Sequence, residues 1–199
     1  MRFHLLFEGS LPSTGNADPK QPRPAKLAAI WAIRNSVSRQ LLQLVNTHPA
    51  LSGRSGPSRV LRHALIPPIW IEGYRFYALA RPGFCVKCGL KIDLLVNHDP
   101  GSVLTKTGDL DNRLKTLFDG LRVPASMQEI KSYKTPQELE AEEYVCLLQD
   151  DALITSLQIE VMRNLAALSD SGPDHVRANI AVSIEPSEIT AVNEAFQID

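Results

Sequence analysis

The chain has 199 residues, 44% hydrophobic and 22% charged, with a formal net charge of −1, which describes one globular domain with a single core. It holds no apolar run of ~18 residues, and Met1-Arg2-Phe3-His4-Leu5-Leu6-Phe7 is too short an opening, too soon met by Glu8, for a signal peptide. A membrane span is excluded, and the expectation is a soluble cytoplasmic protein with its three cysteines reduced.

Arg2 to Gly9 alternates Phe3, Leu5 and Phe7 against Arg2, His4, Leu6 and Glu8 and predicts a strand, followed by a turn-rich loop, Ser10 to Asn16. Pro24 to about Val45 predicts a helix, opened by Pro24 and closed by His48-Pro49, with Arg34 the one polar break in its apolar stripe. Ser52 to Arg59 reads as a polar loop. Beyond it, Trp70, Tyr74, Phe76 and Tyr77, interleaved with Arg75 and Arg81, suit either a sheet face or stacking on exposed bases. Val86 to Asn97 predicts a second strand, ending in a turn over 98–101.

A helix from Asn112 to Leu121 turns Leu114, Leu117, Phe118 and Leu121 inward and aligns Asp111, Lys115 and Asp119 on another face. Thr135-Pro136-Gln137-Glu138 is a capping box that opens a short acidic helix to about Tyr144. Two alternating strands, Leu153 to Met162 and Val176 to Ile184, complete an α/β domain around a mixed sheet. Cys85-Val86-Lys87-Cys88 looks like half of a zinc knuckle, but a closed site would have to recruit His98 or His63. Two thiols at the start of a strand are the expectation.

Charge is segregated along the chain. Residues 1–65 carry nine basic and two acidic side chains, whereas 136–199 carry two basic and thirteen acidic. A polyanion would therefore be met by the N-terminal third. Lys20, Arg23 and Lys26, with Arg113 further on, are the candidate phosphate contacts; solvated faces are the alternative reading.

The chemistry concentrates in Gly108-Asp109-Leu110-Asp111-Asn112-Arg113-Leu114-Lys115, answered by Asp150-Asp151. Alone, Asp109 serves as a helix N-cap and Asp111 complements the helix dipole. Together with Asp151, or Asp150, arriving from the start of a neighbouring strand, they form a hard oxygen set suited to Mg²⁺ beside a phosphodiester. Lys115, one turn above Asp111, either neutralises charge on the phosphate or pairs with Asp119. An EF-hand is excluded, because Leu114 and Gly120 stand where its glycine and bidentate glutamate are needed. Serine and cysteine nucleophile motifs and glycine-rich phosphate loops are absent.

Asp109-Leu110-Asp111-Asn112-Arg113-Leu114-Lys115, Phe118-Asp119-Gly120-Leu121 and Asp150-Asp151 together resemble the signature of the RusA family of Holliday junction resolvases. Leu11 to Asn16 is similar to that family's opening loop. The resemblance implies a single RusA-like domain over 1–199, a homodimer that cuts four-way DNA junctions by paired symmetric nicks with Mg²⁺ or Mn²⁺. It implies Asp109, Asp111 and Asp151 as metal ligands, with Asp150 a further candidate, and Lys115 in a supporting catalytic role. Segments of about 49–84 and 123–149 stand out as insertions, and the acidic one is a candidate gate or protein-docking surface. Two other readings remain: a nuclease of the same fold acting on other branched or single-stranded nucleic acid, and a non-catalytic binding module.

Overall fold

The computed structural model describes residues 1–12, 24–48, 51, 66–97, 110–131, 144–166, 172, 174–190, 193 and 196. In chain order the elements are β1 (Arg2–Ser10), α1 (Pro24–Thr47), β2 (Ile69–Ile71), β3 (Tyr74–Ala80), β4 (Val86–Val96), α2 (Leu110–Leu121), α3 (Met127–Lys131), β5 (Tyr144–Leu148), β6 (Ile154–Arg163) and β7 (His175–Pro186). Short 3₁₀ turns occupy Pro82–Phe84 and Asp151–Leu153. The expected loop over 52–59, the turn over 98–101 and the capping box at 135–138 lie outside the described residues.

The strands form two mixed sheets instead of the single one expected. The larger has the order β1-β7-β4-β6, in which β4 runs parallel to β6 and antiparallel to β7, and β7 pairs β1 antiparallel. Strict alternation in β4 buries Val86, Cys88, Leu90, Ile92, Leu94 and Val96 on the helix-facing side. The opposite side is polar, with His4 bonded to Asn179, Asn179 to Asp93, and Arg177 to Glu8.

The smaller sheet has the order β2-β3-β5, with β3 and β5 parallel. All of its strands come from the two stretches expected to be insertions, so 49–84 and 123–149 supply one joint layer. β5 carries no alternation because all five of its residues are buried, and an unbroken apolar pentapeptide has no period from which to read a strand. Its first residue, Tyr144, is where the acidic helix was expected to end. β2 and β3 meet in a two-residue hairpin whose Glu72 and Gly73 both have positive φ, 46° and 95°.

α1 packs on β1, β5 and α2. At its crossing with α2, a Cβ on Gly120 would lie 2.6 Å from Ile33 Cβ, so only glycine permits that approach. The main core joins Leu5, Ile33, Leu41, Leu79, Ile92, Leu117 and Leu147. A smaller one gathers Trp31, Phe76, Ile130 and Tyr144 beneath the second sheet, so Phe76 packs, whereas Trp70 is 61% exposed. Among the described residues no helix is long and apolar enough to cross a membrane.

Candidate active site

α2 carries the acidic motif, and its orientation differs from the expected one. The buried positions are Arg113, Thr116, Leu117, Gly120 and Leu121, so the inward stripe is rotated and Leu114 lies at its margin. A buried guanidinium is tolerable only when its donors are met. Arg113 donates to the Leu11 carbonyl at 2.7 Å and to Asp174 at 2.8 Å. At 1% exposure it ties the end of β1 to α2 and presents no surface to a phosphate, which corrects its place among the expected nucleic-acid contacts.

Asp111 and Lys115 stand one turn apart on the solvent face and form an ion pair, both more than half exposed. Such a pair adds only about 0.2–0.5 kcal/mol to a helix. Asp119 follows on the same face. Eight residues at about 1.5 Å each put it ~12 Å from Asp111 along the axis.

It is Asp119, not Asp111, that shares a cleft with Asp150 and Asp151. This cleft of about 440 Å³ is walled by Ile69 and Ile71 of β2, by Arg122 to Ala125 after α2, and by Gln149 to Asp151 after β5. An isolated bridge between Arg122 and Leu148 holds the end of α2 beside the end of β5, which brings Asp119 and Arg122 to the same cleft as Asp150 and Asp151. Asp150 caps the 3₁₀ turn, its carboxylate accepting from the Ala152 amide at 2.9 Å. Asp151 is exposed.

Two cations attend Asp119. Arg122 donates to its Oδ1 at 2.7 and 3.1 Å, and Lys26 lies 3.3 Å from Oδ2. Burial disfavours the Arg122 charge, but the adjoining Asp119 carboxylate, with Glu129 and Asp151, outweighs it and holds the guanidinium above its ordinary pKa. Behind the cleft, Arg34 donates to the Asp119 carbonyl at 2.8 Å, to the Arg122 carbonyl at 3.2 Å and to Glu129 at 2.6 Å. A cation thus sits at the C-terminal end of α2, where the free carbonyls favour one. Trp31 flanks Arg34 at 4.6 Å and donates to the Glu129 carbonyl at 3.1 Å.

Of the other expected site residues, Asp109, Lys20 and Arg23 lie outside the described residues. Among the described residues no group of three or more His, Cys, Asp or Glu side chains is disposed to hold a metal. The carboxylates at the cleft are nonetheless hard oxygen donors of the kind Mg²⁺ takes, and that ion is commonly held by one or two carboxylates with phosphate oxygens completing its shell. Cys85 is exposed and Cys88 buried, so the two thiols turn apart. Asp119 was not among the metal ligands expected from the sequence, and Arg122 and Glu129 were not singled out there at all. The available signal was the four-residue recurrence of Asp111, Lys115 and Asp119.

Comparison of the chain with protein-family models, with curated proteins and with solved structures finds no match.

Proposed function

We propose that the chain is a Mg²⁺-dependent, structure-selective endodeoxyribonuclease that resolves four-way DNA junctions by paired nicks. The observation that carries the reading is the acidic set Asp109, Asp111, Asp119, Asp150 and Asp151, of which Asp119, Asp150 and Asp151 border one cleft beside Arg122 and Lys26. Carboxylates and cations in one cleft are what hydrolysis of a phosphodiester requires.

In this reading Asp150 and Asp151 would hold the ion, and Asp111 would extend the carboxylate surface to the opening turn of α2, with Asp109 two positions before it in sequence. Bound Mg²⁺ would supply a polarised phosphate and an activated water. Lys26 and Arg122 neutralise the phosphate oxygens, exchanging part of their pairing with Asp119 for the substrate. Lys115, paired with Asp111 in the absence of substrate, is a further donor to the backbone along the same face. Arg34 is a positioning residue, because it fixes the carbonyls and the Glu129 carboxylate on which the wall of the cleft rests.

One observation favours a second reading. Trp70, 61% exposed on β2 beside two cleft-lining isoleucines, stands cross-strand from Arg75. An aromatic face next to a guanidinium suits the stacking of an unpaired base, and with it single-stranded or flapped substrates.

The test is incubation of the purified protein with a synthetic four-way junction, a flap and a linear duplex, in Mg²⁺ and in Mn²⁺. Symmetric paired nicks confined to the junction are expected. Preferential cutting of the flap would transfer the assignment to the second reading, and absence of cleavage on all three would reject both.

A further inference from the structure

The polar side of the large sheet carries a second concavity, of about 510 Å³, a size suited to a small molecule. It forms where two successive cross-strand rows hold small side chains at their centre. One row runs Arg2, Ser183, Gly89, Ser156 across β1, β7, β4 and β6, and the next runs His4, Ala181, Lys91, Gln158. All eight residues line the concavity, because alternate residues of a strand share a face. Gly89 and Ala181 lower its floor. A Cβ on Gly89 would lie 2.6 Å from the Ser183 Oγ, so that hydroxyl lies across the glycine. β7 separates β1 from β4, and His4 and Lys91 therefore stand about 9–10 Å apart at the backbone, as two walls.

The charges of this face are placed around the concavity. Its two rows hold Arg2, Lys91 and an imidazole but no carboxylate. Glu185, cross-strand from Lys87, lies beyond one row, and Asp93 and Glu160 lie beyond the other. Positive charge is thus confined to a patch matched to one anion, and a polyanion running on across the face would meet carboxylates on both sides. Glu185 pairs with Arg2 at 3.5 Å and Glu160 with Lys91 at 3.7 Å, in both cases between side chains about half exposed or more. Such pairs contribute little and can yield their cation to a phosphate.

His4 is oriented from behind. The Asn179 amide nitrogen donates to Asp93 Oδ2 at 3.2 Å, so the amide oxygen faces His4 Nδ1, 3.0 Å away, and accepts from it. That places the proton on Nδ1 and leaves Nε2 of the neutral ring an acceptor, which a hydroxyl group satisfies. Gln158, Ser156 and Ser183 add further partners for hydroxyls. The one aromatic residue at the concavity, Phe3, packs against the core, so a nucleobase would find no ring to stack on.

We infer that this concavity binds a small phosphorylated sugar. Arg2 and Lys91 hold the phosphate, and His4 Nε2, Gln158 and the two serines hold the hydroxyls. The site shares no residue with the acidic cleft, and the assignment stands or falls independently of DNA cleavage.

Calorimetric titration of the full chain tests it, with ribose and glucose each phosphorylated on the terminal hydroxyl, and with the free sugars and inorganic phosphate for comparison. At least one sugar phosphate is expected to bind one to one, with its free sugar and inorganic phosphate weaker by about tenfold or more. Lys91→Gln, and Ala181→Leu, which fills the floor, should each weaken binding by about tenfold or more, whereas Lys26→Gln in the cleft should not change it. Should Ala181→Leu lower the thermal unfolding midpoint, the exposed Lys91→Gln decides alone. Absence of binding by both sugar phosphates at millimolar concentration would overturn the inference. So would inorganic phosphate binding as tightly as either, binding that survives Lys91→Gln, or displacement of the sugar phosphate by a linear DNA duplex.

Discussion

At the residue scale, the cleft depends on a guanidinium that touches none of its surface. Arg34 is 1% exposed and donates to the Asp119 and Arg122 carbonyls and to Glu129. Its replacement by alanine would strand a largely buried carboxylate and leave two carbonyls with fewer donors. The expected loss is about 3–5 kcal/mol, read as a lowered urea unfolding midpoint; a change within the scatter of surface substitutions would show that water replaces the guanidinium. Arg34 was visible in the sequence only as a polar break in an apolar stripe, because its partners are some 85–95 residues distant and the helix period says nothing about them. Arg113 was hidden differently. A charged residue in a motif suggests a surface, and only the Leu11 carbonyl and Asp174 reveal that it is held inside. The thiols make a second residue-scale prediction. Burial raises Cys88 to about 12 and Cys146 to about 11 from an ordinary 9.0. Both groups therefore stabilise the fold fully below pH ~9 and lose that contribution as pH rises through their folded values. Stability should decline above pH ~9, and a thiol reagent at neutral pH should label exposed Cys85 alone until the chain unfolds; labelling of all three in the native state would contradict the burial.

At the element scale, the legible parts were those with a clean period. β1, α1, β4, β6 and β7 were read from alternation or helical spacing with ends within about two residues, because each has one face wet and one dry. β5 and the β2–β3 hairpin were not, since β5 is buried throughout and β2 has three residues. The two stretches expected to be insertions supply a second sheet, whose parallel β3–β5 pairing joins residues more than sixty positions apart, beyond the reach of any local signal. The rotation of α2 has a comparable cause: Gly120 lets α1 approach so closely that Ile33 occupies the space a side chain would take. Gly120→Ala should therefore destabilise by about 1–3 kcal/mol through overpacking, despite alanine's better helix propensity. Thermal unfolding checks the sign, and a raised midpoint would mean the two helices can separate at little cost.

At the scale of the whole molecule, the cleft is where the chain's two charge halves meet. Lys26 comes from the basic N-terminal third and Asp150 and Asp151 from the acidic C-terminal one. Binding of a DNA junction should accordingly weaken steeply with added salt, and Lys26→Gln should lower the slope of that dependence by about one, the counterion that a single lysine displaces from a phosphate. A slope insensitive to that change would remove Lys26 from the interface. The acidic residues that made the site legible as chemistry were adjacent in sequence, whereas the choice between Asp111 and Asp119 as the neighbour of Asp151 depended on the pairing of α2 with β5. The most direct test of the central claim is the single-turnover rate of four-way junction cleavage in Mg²⁺ by the wild-type chain and by Asp151→Asn, with junction binding measured alongside. The expected result is paired nicks by the wild type and a fall of about 100-fold or more in the variant, with binding kept. Undiminished cleavage by Asp151→Asn, or none by the wild type, would contradict it.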